Sequence, residues 1–209
     1  MTPMVFVVDD DPSVRKSLTR VMTSVGYAVE AFASAREFLS REPYAGPCCL
    51  VLDVRMPGLT GLELQEALAA GNRRLPIVFI TGHGDIPMGV KAMKEGADDF
   101  LTKPFDVETI LAAVERAVTR NVQTLDDERR DAGIRERVKR LTAREIEVFA
   151  LVVTGMLNKQ IAGELGIGEK TVKVHRARVM EKMEAGSLAE LVRLADRAAL
   201  IVPAAAKRA

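Results

Sequence analysis

Five short apolar, β-branched runs alternate with amphipathic segments through the first 120 residues, near 4–8, 27–31, 48–53, 76–80 and 98–102. Strands separated by helix-length segments do not pair as hairpins. They join through crossovers, which build a parallel sheet with helices on both faces. Local signals agree with this spacing. Pro12 suits a first helical turn, Ser34-Ala35-Arg36-Glu37 has the form of a capping box, and Asp106 is placed to cap the helix after Lys103-Pro104-Phe105. The expected fold is therefore α/β, a doubly wound five-stranded parallel sheet. Right-handed crossovers then bring the carboxyl ends of the strands to one edge, where ligands bind in such sheets.

The residues expected at that edge carry chemistry. Asp9 and Asp10 follow Val5-Phe6-Val7-Val8, Asp53 ends Cys48-Cys49-Leu50-Val51-Leu52, Thr81 follows Ile77-Val78-Phe79-Ile80, and Lys103 follows Asp99-Phe100-Leu101-Thr102. A carboxylate can attack phosphorus to give an aspartyl-phosphate, and a divalent ion then neutralises charge on the phosphoryl oxygens. Asp9 and Asp10 can ligate that ion, with Mg²⁺ the best fit as a hard cation taking oxygen ligands. Thr81 can hydrogen-bond one phosphoryl oxygen while Lys103 pairs with another. Gly82-His83-Gly84 lacks the spacing and the Lys-Ser/Thr of a phosphate-binding loop, so His83 reads as a loop residue. Asp11 reads as a solvent-facing acid at a helix start.

Val7-Val8-Asp9-Asp10-Asp11, Leu52-Asp53-Val54-Arg55-Met56-Pro57-Gly58, Thr81-Gly82-His83-Gly84 and Lys103-Pro104-Phe105 resemble, in order and spacing, the motifs of response-regulator receiver domains over about residues 3–120. The resemblance implies a flavodoxin-like sheet with Asp53 as phosphoacceptor. Asp10 and Asp53 would ligate Mg²⁺ together with the backbone carbonyl of Arg55, and Asp9 would assist through water. It further implies that Thr81 and Phe100 form a switch pair, that Lys103 contacts the phosphoryl group, and that the Lys103–Pro104 bond is cis.

Charge divides the chain. Residues 1–120 hold 13 basic and 16 acidic residues, a net of −3, whereas residues 140–209 hold 12 and 8, a net of +4. The basic half is the one suited to nucleic acid. Between them, residues 121–139 are balanced at five of each and read as a charged helical linker with a break at Gly133. Val107, Leu111, Val114, Val118, Asn121 and Leu125 form an apolar seam that could carry the preceding helix into it, and a short dimerising helix there is the alternative. Adjacent Cys48 and Cys49 read as buried hydrophobes. Three aspartates by residue 11 argue against a secretion signal, and no apolar stretch reaches a membrane span. The expected location is the cytoplasm.

Residues 140–209 read as a small all-α domain. Thr142-Ala143-Arg144-Glu145 and Ser187-Leu188-Ala189-Glu190 open helices with capping boxes. Asn158–Leu165, the turn Gly166-Ile167-Gly168 and Glu169–Met183 form a helix-turn-helix, whose second helix can enter a major groove. On that helix Val172, Val179 and Met183 share the core face, with His175 near its edge. The opposite face carries Lys170, Val174 and Ala177, flanked by Thr171, Lys173 and Arg178. Small apolar groups can touch thymine methyls, and the cations can bond guanine edges or phosphates.

Leu141-Thr142-Ala143-Arg144-Glu145, Asn158-Lys159-Gln160-Ile161-Ala162 and Lys170-Thr171-Val172-Lys173-Val174-His175 resemble the LuxR-type helix-turn-helix domain. With the receiver-like half, the whole chain resembles FixJ-type transcriptional regulators. Gly168 stands where many relatives have a capping Ser, at a cost of a few tenths of a kcal/mol. The resemblance implies a sensor histidine kinase as donor, promoter DNA as target, RNA polymerase as a further partner, and a homodimer formed on phosphorylation, with helix 187–200 as a dimer contact. It implies no enzyme beyond slow loss of the phosphoryl group. Three rivals fare worse. A haloacid-dehalogenase-type phosphatase needs an acid where Arg55 stands, a phosphorylation-independent module would not need the acid set, and RNA binding lacks stacking aromatics on the groove helix.

Overall fold

The computed structural model describes residues 2–71, 73, 75–82 and 86–201, apart from the side chains of Ile86 and residues 199–201. Expectations for His83 therefore lie outside the described residues. The chain divides into two compact units, Met1–Leu125 and Asp126–Ala209.

In the first unit β1 (Met4–Val8), α1 (Pro12–Ser24), β2 (Ala28–Phe32), α2 (Ala35–Ser40), β3 (Cys48–Asp53), α3 (Gly61–Ala70), β4 (Ile77–Thr81), α4 (Ile86–Lys94) and β5 (Asp99–Thr102) alternate, and α5 (Val107–Lys139) follows. The five strands form one parallel sheet in the order β2-β1-β3-β4-β5, the flavodoxin-like order whose switch point lies between β1 and β3.

Alternation along the strands divides the core in two. Phe6, Val8, Leu50, Leu52 and Phe79 point to the face covered by Phe38 of α2, Leu64 and Leu68 of α3 and Ala92 of α4. Val5, Val7, Val51, Val78 and Ile80 point to the other, covered by Leu18 and Met22 of α1 and by Ile110, Val114 and Ala117 of α5. Cys48 belongs to the first cluster and Cys49 to the second, so successive strand positions send them to opposite faces and they remain free thiols. Burial pushes the Cys48 thiol up to about 11 and Cys49 well above its ordinary value.

Pro12 occupies the first turn of α1, and Asp11, though exposed, caps that helix by accepting from the Ser13 N–H at 2.7 Å. The Asp106 expectation fails in part: its carbonyl accepts from Ile110 N, but its side chain makes no hydrogen bond among the described residues. The break expected at Gly133 is absent. Helix α5 runs unbroken through it, because one interior glycine costs only about 1 kcal/mol relative to alanine and strong helix formers flank it. Nor is 121–139 merely solvated. Asn121 is buried and its Oδ1 accepts the Cys48 N–H at 2.9 Å, while Ile134 is buried and Asp127 and Asp131 both pair with Arg197.

The second unit packs α6 (Ala143–Val152), α7 (Asn158–Leu165), α8 (Glu169–Lys182) and α9 (Leu188–Ile201) around Leu141, Val148, Val152, Ile161, Val172, Val179, Met183 and Leu191. Thr142 and Glu145 form both bonds of the capping box. Gly166 takes the left-handed conformation, φ 65°, that ends α7 and allows the tight turn into α8. Among the described residues, no helix is long and apolar enough to cross a membrane.

Candidate functional site

The parallel register places all the chemistry-bearing strand ends together. Val8 lies opposite Leu52, so Asp9 and Asp53 emerge side by side across the switch point. Thr81 closes β4 opposite Thr102 of β5, and the Lys103 N–H donates to the Thr81 carbonyl at 2.7 Å. Asp9, Asp10 and Asp53 each offer a carboxylate oxygen, and these oxygens lie within 4.8 Å of one another. Such a set provides only hard oxygen donors. It suits an octahedral divalent cation of the Mg²⁺ kind better than a metal seeking nitrogen or sulfur.

Lys103 reaches the acids from the far end of the domain sequence. Its ammonium is 2.7 Å from Asp9 Oδ2 and 3.5 Å from Asp53 Oδ1. The peptide bond between Lys103 and Pro104 is cis. Asp9 and Thr81 are fully buried, Asp53 is 6% exposed, and Asp10 faces solvent. Burial pushes the Asp53 carboxyl above the ordinary carboxylate range, while the Lys103 ammonium pulls it back and the Asp9 charge adds to the rise. Phe100, half-buried, pairs with Phe79 two residues before Thr81 and tilts against its ring, with centroids 6.3 Å apart. Gly89 on α4 faces the Phe100 ring, where a Cβ would meet ring atoms from 3.4 Å. Arg55 is exposed in the loop after β3.

Two supporting residues were not foreseen. Arg15 on α1 donates from one guanidinium nitrogen to the carbonyls of Asp9 and Asp10, at 2.7 and 2.9 Å, and so clamps the acidic loop. Its spacing, one helical turn past Pro12, was the available signal. Gly61 opens α3 directly under the end of β3, and a Cβ there would lie 2.3 Å from the Asp53 carbonyl oxygen. Only glycine lets α3 start that close.

In the second unit Val172, Val179 and Met183 are fully buried, as the helical periodicity predicts, and Lys170, Thr171, Lys173, Val174, Ala177 and Arg178 are all exposed on α8. His175 lies between the two faces, and its buried Nδ1 has no hydrogen-bond partner among the described residues. Gly168 occupies the N-cap of α8 with no side-chain bond. Sequence reasoning missed the bond that ties α8 to α6: Lys182 Nζ is 2.6 Å from Glu145 Oε2, and Glu145 is buried. That ammonium and the Thr142 N–H hold the Glu145 carboxyl down at about 2. Arg176 turns to Asn158 Oδ1 at 3.2 Å, linking the two helices of the helix-turn-helix.

Comparison with known proteins divides the chain in the same way. Residues 5–115 match the response regulator receiver domain, and residues 139–195 match the bacterial regulatory proteins of the luxR family. Nodulation protein W of Bradyrhizobium diazoefficiens is 51% identical over 92% of this chain and 85% of its own length. Transcriptional regulatory protein FixJ of Azorhizobium caulinodans is 46% identical over 91% of this chain and 90% of its own. Among solved structures, the response regulator StyR superposes with a TM-score of 0.86 at 49% identity, covering 94% of this chain and all of that one.

Proposed function

This chain belongs to the DNA-binding two-component response regulators, and from that membership we propose that Asp53 accepts a phosphoryl group from a sensor kinase and thereby governs promoter binding by α8. The observation that carries the reading is the reach of one ammonium, Lys103, to both Asp9 and Asp53 at the edge of the sheet. A lone strand-end acid needs no such partner.

In this account an Asp53 carboxylate oxygen forms the new O–P bond as the N–P bond of the donor phosphohistidine breaks and the imidazole leaves. Asp10, Asp53 and the Arg55 carbonyl would hold Mg²⁺, with Asp9 assisting, and the bound ion would neutralise charge on the phosphoryl oxygens. Lys103 pairs with one of those oxygens and the Thr81 hydroxyl hydrogen-bonds another. Drawing Thr81 toward the phosphoryl group frees space into which Phe100 turns, and the surface of α4 and β5 changes with it. That surface pairs two receivers, and paired α8 helices then read two half-sites related by the protein's two-fold axis. Lys170, Thr171, Lys173 and Arg178 contact phosphates and base edges, with Val174 and Ala177 against thymine methyls. Water slowly hydrolyses the aspartyl-phosphate and resets the switch. RNA polymerase is the downstream partner and the cytoplasm the site of action.

The test is intact-mass measurement of the full-length protein after incubation with Mg²⁺ and acetyl phosphate. One phosphoryl group is expected on the parent chain and none on Asp53→Asn; a variant that still takes one places the acceptor elsewhere.

A further inference from the structure

Helix α8 ends on a residue whose backbone conformation suits glycine better. After the cap residue Met183 it closes with the paired bonds of a Schellman turn, Glu184 N–H to the Glu181 carbonyl at 3.0 Å and Ala185 N–H to the Met180 carbonyl at 2.9 Å. Such a turn needs left-handed backbone at the residue after the cap, a place that commonly falls to glycine because a Cβ there is crowded. Here the residue is Glu184, with φ 55°, and it alone among the described non-glycine residues has a positive φ. A conformation this costly persists where surrounding contacts hold it.

Those contacts come from the last turns of α5. Asp127, Asp131, Ile134 and Val138 recur at helical spacing and share one face of that helix. The face is docked within the second unit. Asp127 and Asp131 hold Arg197 of α9 at 3.2 and 2.8 Å, Ile134 is buried, and Val138 packs on the core shared by α6, α7, α8 and α9. Docked in this way, α5 carries Arg137 to the end of α8. The Arg137 guanidinium lies 3.0 Å from Glu184 Oε2 and donates to the Met183 carbonyl at 3.5 Å, while Arg140 adds a second cation 3.7 Å from Glu184 Oε1. Arg137 thereby meets both a carboxylate and the negative end of the α8 dipole. Glu145 of α6 holds Lys182 in the same turn, so the end of α8 is gripped from two helices.

We propose that Arg137 is a positioning residue for DNA reading: by clasping Glu184 it fixes the end of α8, and with it the angle at which Lys170, Lys173, Val174 and Ala177 meet base edges. The inference rests on the reading of α8 as the DNA-contacting helix, and Arg137 itself touches no DNA. An exposed ion pair adds little to stability, and a left-handed glutamate subtracts from it. Stability therefore does not account for a carboxylate where glycine fits better, whereas a fixed helix end does. Contacts to base edges depend on exact geometry and specify the sequence, while phosphate contacts carry no sequence information. The clasp accordingly bears on sequence preference and not on general affinity for duplex DNA.

Two arms test it on the full-length protein. Without DNA, amide hydrogen exchange at Glu184 and Ala185 is expected to rise about threefold to fivefold in Arg137→Met, with Val172 and Val179 unchanged. With Mg²⁺ and beryllofluoride present, a duplex recovered by genomic selection and a scrambled duplex of equal composition are titrated over a salt series. Arg137→Met is expected to bind the selected duplex about threefold to fivefold more weakly and the scrambled one as the parent does, with an unchanged slope of log affinity against log salt. Glu184→Gly keeps the left-handed turn, and so the fold, and is expected to lose the same preference, with the double variant no worse than either single one. Plain electrostatics predicts the opposite sign, since removing an acid strengthens binding to every duplex. The proposal is overturned by unchanged exchange at the α8 end, or by Glu184→Gly binding the selected duplex at least as tightly as the parent. A slope reduced by about one in Arg137→Met overturns it too, by making Arg137 a phosphate contact. A parent protein that selects no duplex refutes the DNA reading and this proposal together, a result distinct from a parent that selects while its variants match it.

Discussion

Lys103 sits closer to Asp9 than to Asp53, 2.7 Å against 3.5 Å. A divalent cation drawn to these carboxylates therefore competes with an ammonium already paired to one of them. Removing the competitor favours the metal and disfavours the phosphoryl group, which loses a cation. Lys103→Met is expected to tighten Mg²⁺ binding to the full-length protein by about tenfold, or about 1.4 kcal/mol, measured by titration calorimetry. The steady-state level of phosphorylation should fall at the same time. An unchanged Mg²⁺ affinity would show that the ion pair does not oppose the metal.

Gly61 sets how closely α3 approaches the end of β3. A methyl group added there collides with backbone rather than with a movable side chain, 2.3 Å from the Asp53 carbonyl oxygen. Gly61→Ala is expected to destabilise the first unit by roughly 1–3 kcal/mol and to slow phosphorylation by acetyl phosphate. Chemical denaturation and the phosphorylation rate check both, and a variant with parent stability contradicts the close approach.

Glu145 predicts how the second unit responds to acid. Its carboxyl titrates at about 2 in the fold against an ordinary 4.5, held down first by the Lys182 hydrogen bond. A depressed carboxylate contributes stability that is full above the unfolded value and drains away as pH falls from about 4.5 toward 2. Glu145→Gln removes the charge-assisted bond, at a cost of roughly 1.5–3 kcal/mol at neutral pH. It should also flatten acid sensitivity in that window. Melting curves of parent and variant across the window test both; parallel pH profiles would contradict the assignment.

On α8 the exposed cations and the exposed apolar groups separate by role. Lys173→Ala is expected to weaken binding to all duplexes about equally and to reduce the slope of log affinity against log salt by about one. Val174→Ala should instead relax preference at one base pair, by roughly 1 kcal/mol or less. Fluorescence anisotropy over a salt series distinguishes them, and a Lys173 variant with the parent slope would place that side chain off the phosphates.

The strand-end residues were legible because each directly adjoins an apolar run, so sequence position alone fixes its place on the sheet edge. The buried face of α8 followed from helical periodicity in the same way, although β2 begins at Ala28 rather than one residue earlier. What escaped was pairing across distance. Arg15 binds carbonyls that carry no side-chain signature, and Asn121 meets Cys48 across 73 residues. Lys182 meets Glu145 only once α6 and α8 are packed. Gly133 misled for the opposite reason, since a local breaker was weighed without the long helix around it.

The most direct test is selection of genomic DNA fragments by the purified full-length protein with Mg²⁺, run in parallel with and without beryllofluoride as a mimic of the aspartyl-phosphate. The account predicts paired half-sites enriched with the mimic and not without it, and no enrichment in either arm for Asp53→Asn. Equal enrichment in both arms of the parent protein would contradict it, leaving a DNA-binding protein whose receiver does not control its reader.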